Sequence, residues 1–364
     1  MREDKEGFLF PNVDEYKCDQ CGICLKMCPV ETVIPVETIE SPQVYAAWTK
    51  DRELLRESSS GGVFSEIARV VLNQGGVVFG AAYDSNMTVR QVAIEAWEDL
   101  CKLRGSKYVQ SDVGDSFRQA KDYLVAGRYV LYSGTPCQIA GLYAVVGKNY
   151  ANLLTCGLIC HGVPSPKVFR MYLDTLEERY HSKVTGFSFR NKRNGWKYPT
   201  IRIEMENGKI INESNFDNHY NLGFQKNIFL RKSCYQCPIK TGELIADIMI
   251  GDFWELIRFQ PKLINYDGTS SILIKTHRGR KAIEACCNCM ELYECPFEYL
   301  QRGSNLLRKS VLANADRSAF FADLDRLSFA ELTKRYIKPR SAIIREIAKL
   351  RRFCISWVNH LKRK

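Results

Sequence analysis

Hydrophobic positions recur along the chain at two periods, and their order sketches the fold. A helical period fits Val63–Asn73, Asp115–Ala126 (where Gly127 stops it) and Cys137–Val146. Short apolar runs at Gly76–Tyr83, Arg128–Tyr132 and Leu153–Ile159 fit buried strands. A further helix opens at Ser165-Pro166, a good N-cap followed by a residue suited to the first turn. Strands and helices that alternate in this way predict a mainly parallel α/β sheet. From Val184 the pattern changes to GFSFR, TIRIEME, the turn Asn207-Gly208 and KIINES, which predicts antiparallel hairpins and an α+β half. At the far end Ile343, Ile347, Leu350, Cys354, Trp357 and Leu361 recur at steps of four and three, one stripe of an amphipathic helix that begins just after Pro339.

Composition adds few restrictions, but charge changes the picture. A hydrophobic content of 45% and a charged content of 26% are those of an ordinary globular protein. No apolar run approaches the ~18 residues of a membrane span, and the start MREDKEGFLF lacks the apolar stretch of a secretory signal. The expected location is therefore cytoplasmic. The net charge of +11 would suggest nucleic acid if it were spread over the chain, but residues 338–364 carry +8 of it and leave +3 for the rest. No nucleic-acid partner is expected. The basic tail, with Arg345, Lys349 and Arg352 mostly off its apolar stripe, suits an anionic membrane interface, which would make the protein peripheral at the inner membrane face. A helix docked on the body or on a partner fits the tail equally well.

Fifteen cysteines in a long chain without a secretory signal point to ligands or catalytic thiols rather than to a disulfide scaffold. Cys18, Cys21, Cys24 and Cys28, followed by Pro29, spell the C-x2-C-x2-C-x3-C-P run of bacterial ferredoxins, with Gly22 easing the turn. In two-cluster ferredoxins the fourth cysteine of such a run serves the other cluster. The fourth ligand here is therefore open: Cys28, a remote cysteine or a partner's. A zinc knuckle is the alternative. Cys137 (SGTPCQ) and Cys160 (LICHG) each follow a predicted strand, so both are expected at the carboxyl edge of one sheet, where open α/β folds build sites. The helix start at Cys137 is expected to favour its thiolate. Cys234 and Cys237 form C-x2-C-P, and with the previous two they make four thiolates, which suit zinc or an iron-sulfur cluster. Cys286, Cys287, Cys289 and Cys295 resemble the end of a helix, with non-ligating thiols favoured over a supplementary metal site. The expected fold is an α/β body with a small N-terminal ferredoxin-like iron-sulfur module and a C-terminal amphipathic helix. Its divisions fall at 1–45, 46–165, 166–337 and 338–364.

The motifs EGFLFP, SSSGGVFSEIA, GGVVFGAAYD, LRGSKYVQSD, SGTPCQIAGL, CHGVPSP, CYQCP, ADIMIGDFW and DGTSSIL, spread from Gly7 to about Tyr336, resemble the coenzyme F420 hydrogenase/dehydrogenase beta-subunit family. The resemblance implies an FAD held by the α/β body, a 4Fe-4S cluster on Cys137, Cys160, Cys234 and Cys237 beside it, and N-terminal ferredoxin-type clusters as a relay. It also implies that 46–165 and 166–337 are the N-terminal and C-terminal domain types of that family. Ferredoxin, F420 or another redox subunit would then be the donor or acceptor.

The residues allow such a site. Ser60, Gly61 and Gly62 precede a helix, where bare N–H groups could receive a diphosphate. Gly105, Ser106, Lys107 and Tyr108 offer a hydroxyl, an ammonium and an aromatic face. Thr135, Arg190, Lys192, Trp196, Asp252 and Trp254 are further cofactor-binding candidates, and His161 is a candidate proton donor. Each has a structural alternative: a flexible loop, an exposed lysine, a core tyrosine, a histidine bonded to backbone. Two departures stand out, a single ferredoxin run where relatives commonly have two, and GDFWE with Glu255 in place of the familiar glycine. The expected function is an iron-sulfur flavoprotein oxidoreductase subunit with one or two 4Fe-4S clusters and FAD. The rivals are a relay subunit with no substrate of its own and a zinc-stabilised binding protein.

Overall fold

The structure, a computed structural model, describes residues 1–30, 38–240, 246–303, 307 and 309–337. The expected helix at 338–364 lies outside the described residues. Thirteen strands occur among the described residues: β1 (Arg2–Glu3), β2 (Leu9–Phe10), β3 (Gln43–Thr49), β4 (Val77–Tyr83), β5 (Val89–Ile94), β6 (Val130–Gly134), β7 (Leu153–Leu158), β8 (Val184–Asn191), β9 (Thr200–Met205), β10 (Ile210–Ser214), β11 (Ile248–Asp252), β12 (Ser270–Ile274) and β13 (Met290–Cys295). Eight of them form one sheet in the order β13-β3-β12-β11-β7-β6-β4-β5.

The sheet is mixed, which corrects the mainly parallel expectation. Its centre, β11-β7-β6-β4, is parallel, while β5, β12, β3 and β13 all join antiparallel to their neighbours. The second half of the chain supplies β11, β12 and β13 to the same sheet as the first, so one sheet crosses the division expected at residue 165. Alternation along each central strand feeds two cores. Val78, Leu131 and Leu154 meet the helices Val63–Asn73 and His277–Cys286 on one face. Val77, Phe79 and Tyr132 meet the helices Ser116–Val125 and Pro136–Val146 on the other. A third core joins the helix Pro166–Tyr180 to the antiparallel sheet β10-β9-β8.

Residues 4–10 form a strap across this body. Phe8 is fully buried, Glu6 pairs with Arg317 through both carboxylate oxygens, and the Ser165 hydroxyl donates to the Glu6 carbonyl, 2.5 Å away. Gly7 adopts a φ of +85° against Ser165 and Lys167, where a Cβ would collide with the Lys167 side chain. Among the described residues no helix is long and apolar enough to cross a membrane.

Candidate functional site

The parallel centre of the sheet brings functional side chains to one edge. β6 and β7 are neighbours, with Gly134 opposite Gly157, so the turns that follow them place Cys137 and Cys160 side by side at their carboxyl ends. Cys137 opens the helix Pro136–Val146, whose N-cap Thr135 donates its backbone N–H to Gln138 Oε1 at 3.0 Å and brings its hydroxyl to 3.2 Å from the Cys137 sulfur. The chain after Cys160 pairs with a distant segment: Ser165 N–H donates to the Phe229 carbonyl and Arg231 N–H to the Val163 carbonyl. That pairing carries Cys234 up to Gly162, where a Cβ would lie 3.7 Å from the Cys234 sulfur. Cys237 is fixed by its N–H donating to Ser310 Oγ at 2.8 Å.

Cys137, Cys160, Cys234 and Cys237 are therefore brought together from three separate stretches of chain and act on one another electrostatically. Burial pushes the Cys160 thiol up to about 12 and the Cys234 thiol up to about 11, with the neighbouring sulfurs adding to each. Cys137 is exposed at the helix start, but desolvation by the surrounding chain still raises its pKa, against its hydrogen bonds to Thr135 and the helix start. Such thiols are poor free nucleophiles at neutral pH, but a coordinating metal deprotonates them outright. Among the described residues no three His, Cys, Asp or Glu side chains are gathered as around a single metal ion. A sulfur-only set suits zinc or an iron-sulfur cluster, and two cations lie beside this one. Lys240 donates to the His161 carbonyl at 3.2 Å, and Arg231 lies within electrostatic range of Cys234 and Cys137. Sequence reasoning misses both cations, because no motif marks them.

His161 directs its Nε2–H to Asn227 Oδ1 at 2.6 Å; the amide orientation is set by Asn227 Nδ2, which donates to the Leu312 carbonyl. Burial lowers its pKa, against the Asn227 bond, and in this arrangement the Nε2 proton is committed to Asn227. A proton-donating role would first require breaking the Asn227 bond.

Next to the thiols, the other candidate segments converge in a second cluster. Asp252 sits at the end of β11, which runs parallel to β7, and accepts Arg190 Nη1 at 2.6 Å and Trp196 Nε1 at 2.7 Å. Trp196 stacks on Trp254 with ring centres 4.1 Å apart at 6°, and the Arg190 guanidinium lies 5.3 Å from the Trp254 ring centre. Arg190 also donates to Tyr108 Oη at 3.4 Å. Burial opposes its charge, but Asp252 and Tyr108 outweigh it and hold its pKa above the ordinary value. Lys192 donates to the carbonyls of Leu55 and Ser60, and burial with repulsion from Arg190 lowers its pKa to about 7. Ser106 N–H donates to Ser59 Oγ at 2.8 Å, tying the 105–108 turn to the serine-glycine loop.

Two expected roles take a different form. Gly61 N–H donates to Ser270 Oγ at 2.8 Å, and its Cα lies hard against the Ala47 carbonyl, so this glycine serves close packing on the sheet. Lys107 spends its ammonium on the carbonyls of Lys102, Leu103 and Arg104 at the end of a short helix, and burial lowers its pKa to about 7. Gly105 (φ +85°) faces open space, while Gly62 (φ +79°) takes the left-handed turn that starts the helix Val63–Asn73. Arg190 Nε and Glu255 Oε2 are two of eight buried side-chain atoms that have no hydrogen-bond partner among the described residues. Burial, followed by repulsion from Asp252, raises the Glu255 pKa.

In the N-terminal run Cys18, Cys21 and Cys24 are exposed and Cys28 is half-buried. Gly22, at φ +70° with open space around it, makes the turn before the short helix Ile23–Lys26. Cys286 and Cys295 are buried and donate to backbone carbonyls, whereas Cys287 and Cys289 are exposed on a one-turn helix.

Two family profiles match the chain. Residues 44–117 match the N-terminal part of the coenzyme F420 hydrogenase/dehydrogenase beta subunit, and residues 127–298 match the C terminus of the same protein. A curated relative, one of the subunits of the F(420)H(2) dehydrogenase of Methanosarcina mazei, is 23% identical over 307 residues, covering 82% of this chain and 79% of its own. A chain of the xenon-derivatised F420-reducing [NiFe] hydrogenase complex from Methanosarcina barkeri is similar at a TM-score of 0.48 and 18% identity, over 83% of this chain and 91% of that one.

Proposed function

Because this chain belongs to the coenzyme F420 hydrogenase/dehydrogenase beta-subunit family, a family of oxidoreductases, we propose that it is an iron-sulfur flavoprotein subunit. Electrons would pass between a 4Fe-4S cluster, FAD and a redox partner or substrate of the F420 or ferredoxin type. The observation that carries this reading is the convergence of Cys137, Cys160, Cys234 and Cys237 at one sheet edge, beside the cluster of Arg190, Asp252, Trp196 and Trp254.

When bound, the iron-sulfur cluster supplies single-electron exchange and the flavin exchanges one or two electrons. The chain's own residues supply the setting. Cys137 and Cys160 present sulfur from rigid strand ends, and Cys234 and Cys237 close the set from the facing turn. Arg231 and Lys240 place positive charge next to four thiolates and so offset their repulsion. The buried Trp196 backs Trp254 by stacking on it, and Arg190 has one donor free for an electronegative ligand atom. In the same reading Cys18, Cys21 and Cys24 hold at most one further cluster, as a relay toward the partner.

Anaerobic purification with iron, sulfide and flavin quantified together tests the proposal. We expect FAD and at least one cluster's worth of iron per chain. Serine at Cys137, Cys160, Cys234 or Cys237 should lower iron while the circular dichroism spectrum stays that of the wild type. Full iron in all four variants would sink the ligand assignment. A colourless protein with stoichiometric zinc would replace the reading altogether.

A further inference from the structure

One side chain touches the strap and also lies beside the four thiols. Arg231 Nη1 donates to the Leu9 carbonyl at 3.0 Å and to Gln110 Oε1 at 3.3 Å, and its guanidinium lies 3.9 Å from the Phe10 ring centre. Its backbone is equally fixed, with the N–H donating to Val163 and the carbonyl accepting from Cys234 N–H at 2.9 Å. The anionic neighbours within electrostatic range of the guanidinium are Cys234, Asp4 and Cys137. Arg231 therefore joins the segment that leads to the Cys18–Cys28 run with the sulfur set at the sheet edge. Glu6 and Phe8 anchor the same strap elsewhere, on Arg317 and in the core.

We propose that Arg231 is a positioning residue that locks the strap 4–10 onto the four-thiol set and supplies the fixed positive charge beside it. The inference rests on the reading that these thiols hold a cluster. Reduction adds one negative charge to an already anionic site, so a fixed cation nearby favours the reduced form and raises the reduction potential. The planar guanidinium also serves as the clamp, because only a flat, multi-donor group can lie on Phe10 while bonding the Leu9 carbonyl and Gln110.

The two contributions separate in variants of the anaerobically purified full chain. Midpoint potential is read by EPR-monitored redox titration, and clamping by hydrogen exchange of peptides covering residues 4–12. Arg231→Gln should lower the midpoint by the equivalent of about a tenfold change in the oxidised-to-reduced ratio, about 59 mV for a one-electron couple, and should speed exchange in the strap. Arg231→Lys should keep the potential closer to wild type while exchange still rises. Glu6→Gln, which weakens a second anchor of the strap without altering charge at the thiols, should raise exchange and leave the potential in place. An unchanged potential or unchanged strap exchange in Arg231→Gln, at wild-type iron content, overturns the inference and spares the cluster assignment. A fall in potential for Glu6→Gln equal to that of Arg231→Gln overturns it too, since strap position and not the cation would then set the potential. Wild-type protein without a cluster signal overturns the assignment and the inference together.

Discussion

Replacing Asp252 by Asn removes a charge on which the whole second cluster turns. Asp252 accepts Arg190 at 2.6 Å and Trp196 at 2.7 Å, and the paired side chains are only 7% (Arg190) and 19% (Asp252) exposed. Two unit charges about 4 Å apart attract by about 4 kcal/mol at the effective dielectric of a protein site. Removing one of them leaves the other buried without compensation, which costs about 3–5 kcal/mol. Asp252→Asn should therefore destabilise the fold by that amount in urea unfolding at matched cofactor occupancy. The stacked pair Trp196–Trp254, 4.1 Å apart, should report the change through tryptophan fluorescence. Two controls make the reasoning testable. The ion pair Asp99–Lys102 has a similar 2.6 Å separation, but its side chains are 42% and 61% exposed, so Asp99→Asn should cost less than about 1 kcal/mol. The double variant Arg190→Met/Asp252→Leu removes both charges and should recover much of the loss. An Asp252→Asn cost no larger than that of Asp99→Asn, or a double variant as unstable as the two single losses added together, would refute the argument.

The strap and the buried lysines lead to further expectations. Phe8→Ala empties a fully buried site and should cost about 3–5 kcal/mol, with residues 4–10 becoming the first cleaved in limited proteolysis; wild-type resistance would mean that the strap is held without Phe8. Lys192 has its pKa lowered to about 7 by burial and by Arg190, whereas an unfolded lysine titrates near 10.4. Between those values the unfolded chain holds a proton that the folded one has released, so stability rises with pH, by up to about 1.4 kcal/mol per unit. Below pH 7 both states are protonated and the penalty is complete. Lys192→Met should reduce this slope, measured by unfolding at pH 6.5 to 9.5, and an identical slope in variant and wild type would show that Lys192 stays charged.

What is legible in the sequence is local. The helix Val63–Asn73 and the helix opening at Ser165-Pro166 appear where expected, since the first carries its own amphipathic face and the second its own cap, with Ser165 Oγ accepting from Val168 N–H. Cys137 and Cys160 can be placed at one edge because each follows a buried strand. Pairing order is not legible. β3 runs as QVYAAWT and β12 as SSILI, short stretches without strong alternation, and they pair with each other across more than 200 residues. β13 reads as the end of a helix, because the helix His277–Cys286 runs directly through a one-turn segment into the strand. The approach of Cys234 to Cys160 depends on the Val163–Ser165 and Phe229–Arg231 pairing, which leaves no signature in either segment.

The same limit explains which candidate residues face a ligand. A motif shows which donors a stretch of chain contains, and only the fold shows where those donors are used. Lys107 reads as a free ammonium, yet all three of its contacts are carbonyls at a helix end. Gly61 reads as a bare N–H, yet Ser270 takes it. Gly61 ties its loop to the sheet, and Lys107 closes the end of its own short helix. In the sequence nothing separates Arg190 from the neighbouring lysines. In the fold its two terminal nitrogens are occupied by Asp252 and Tyr108, while Nε stays buried and unspent beside the stacked indoles. Leaving such a donor unpaired costs about 1–3 kcal/mol, a cost that a ligand atom bonded to Arg190 would remove. We therefore propose Arg190 Nε, beside the half-buried Trp254, as the contact that a ligand would make.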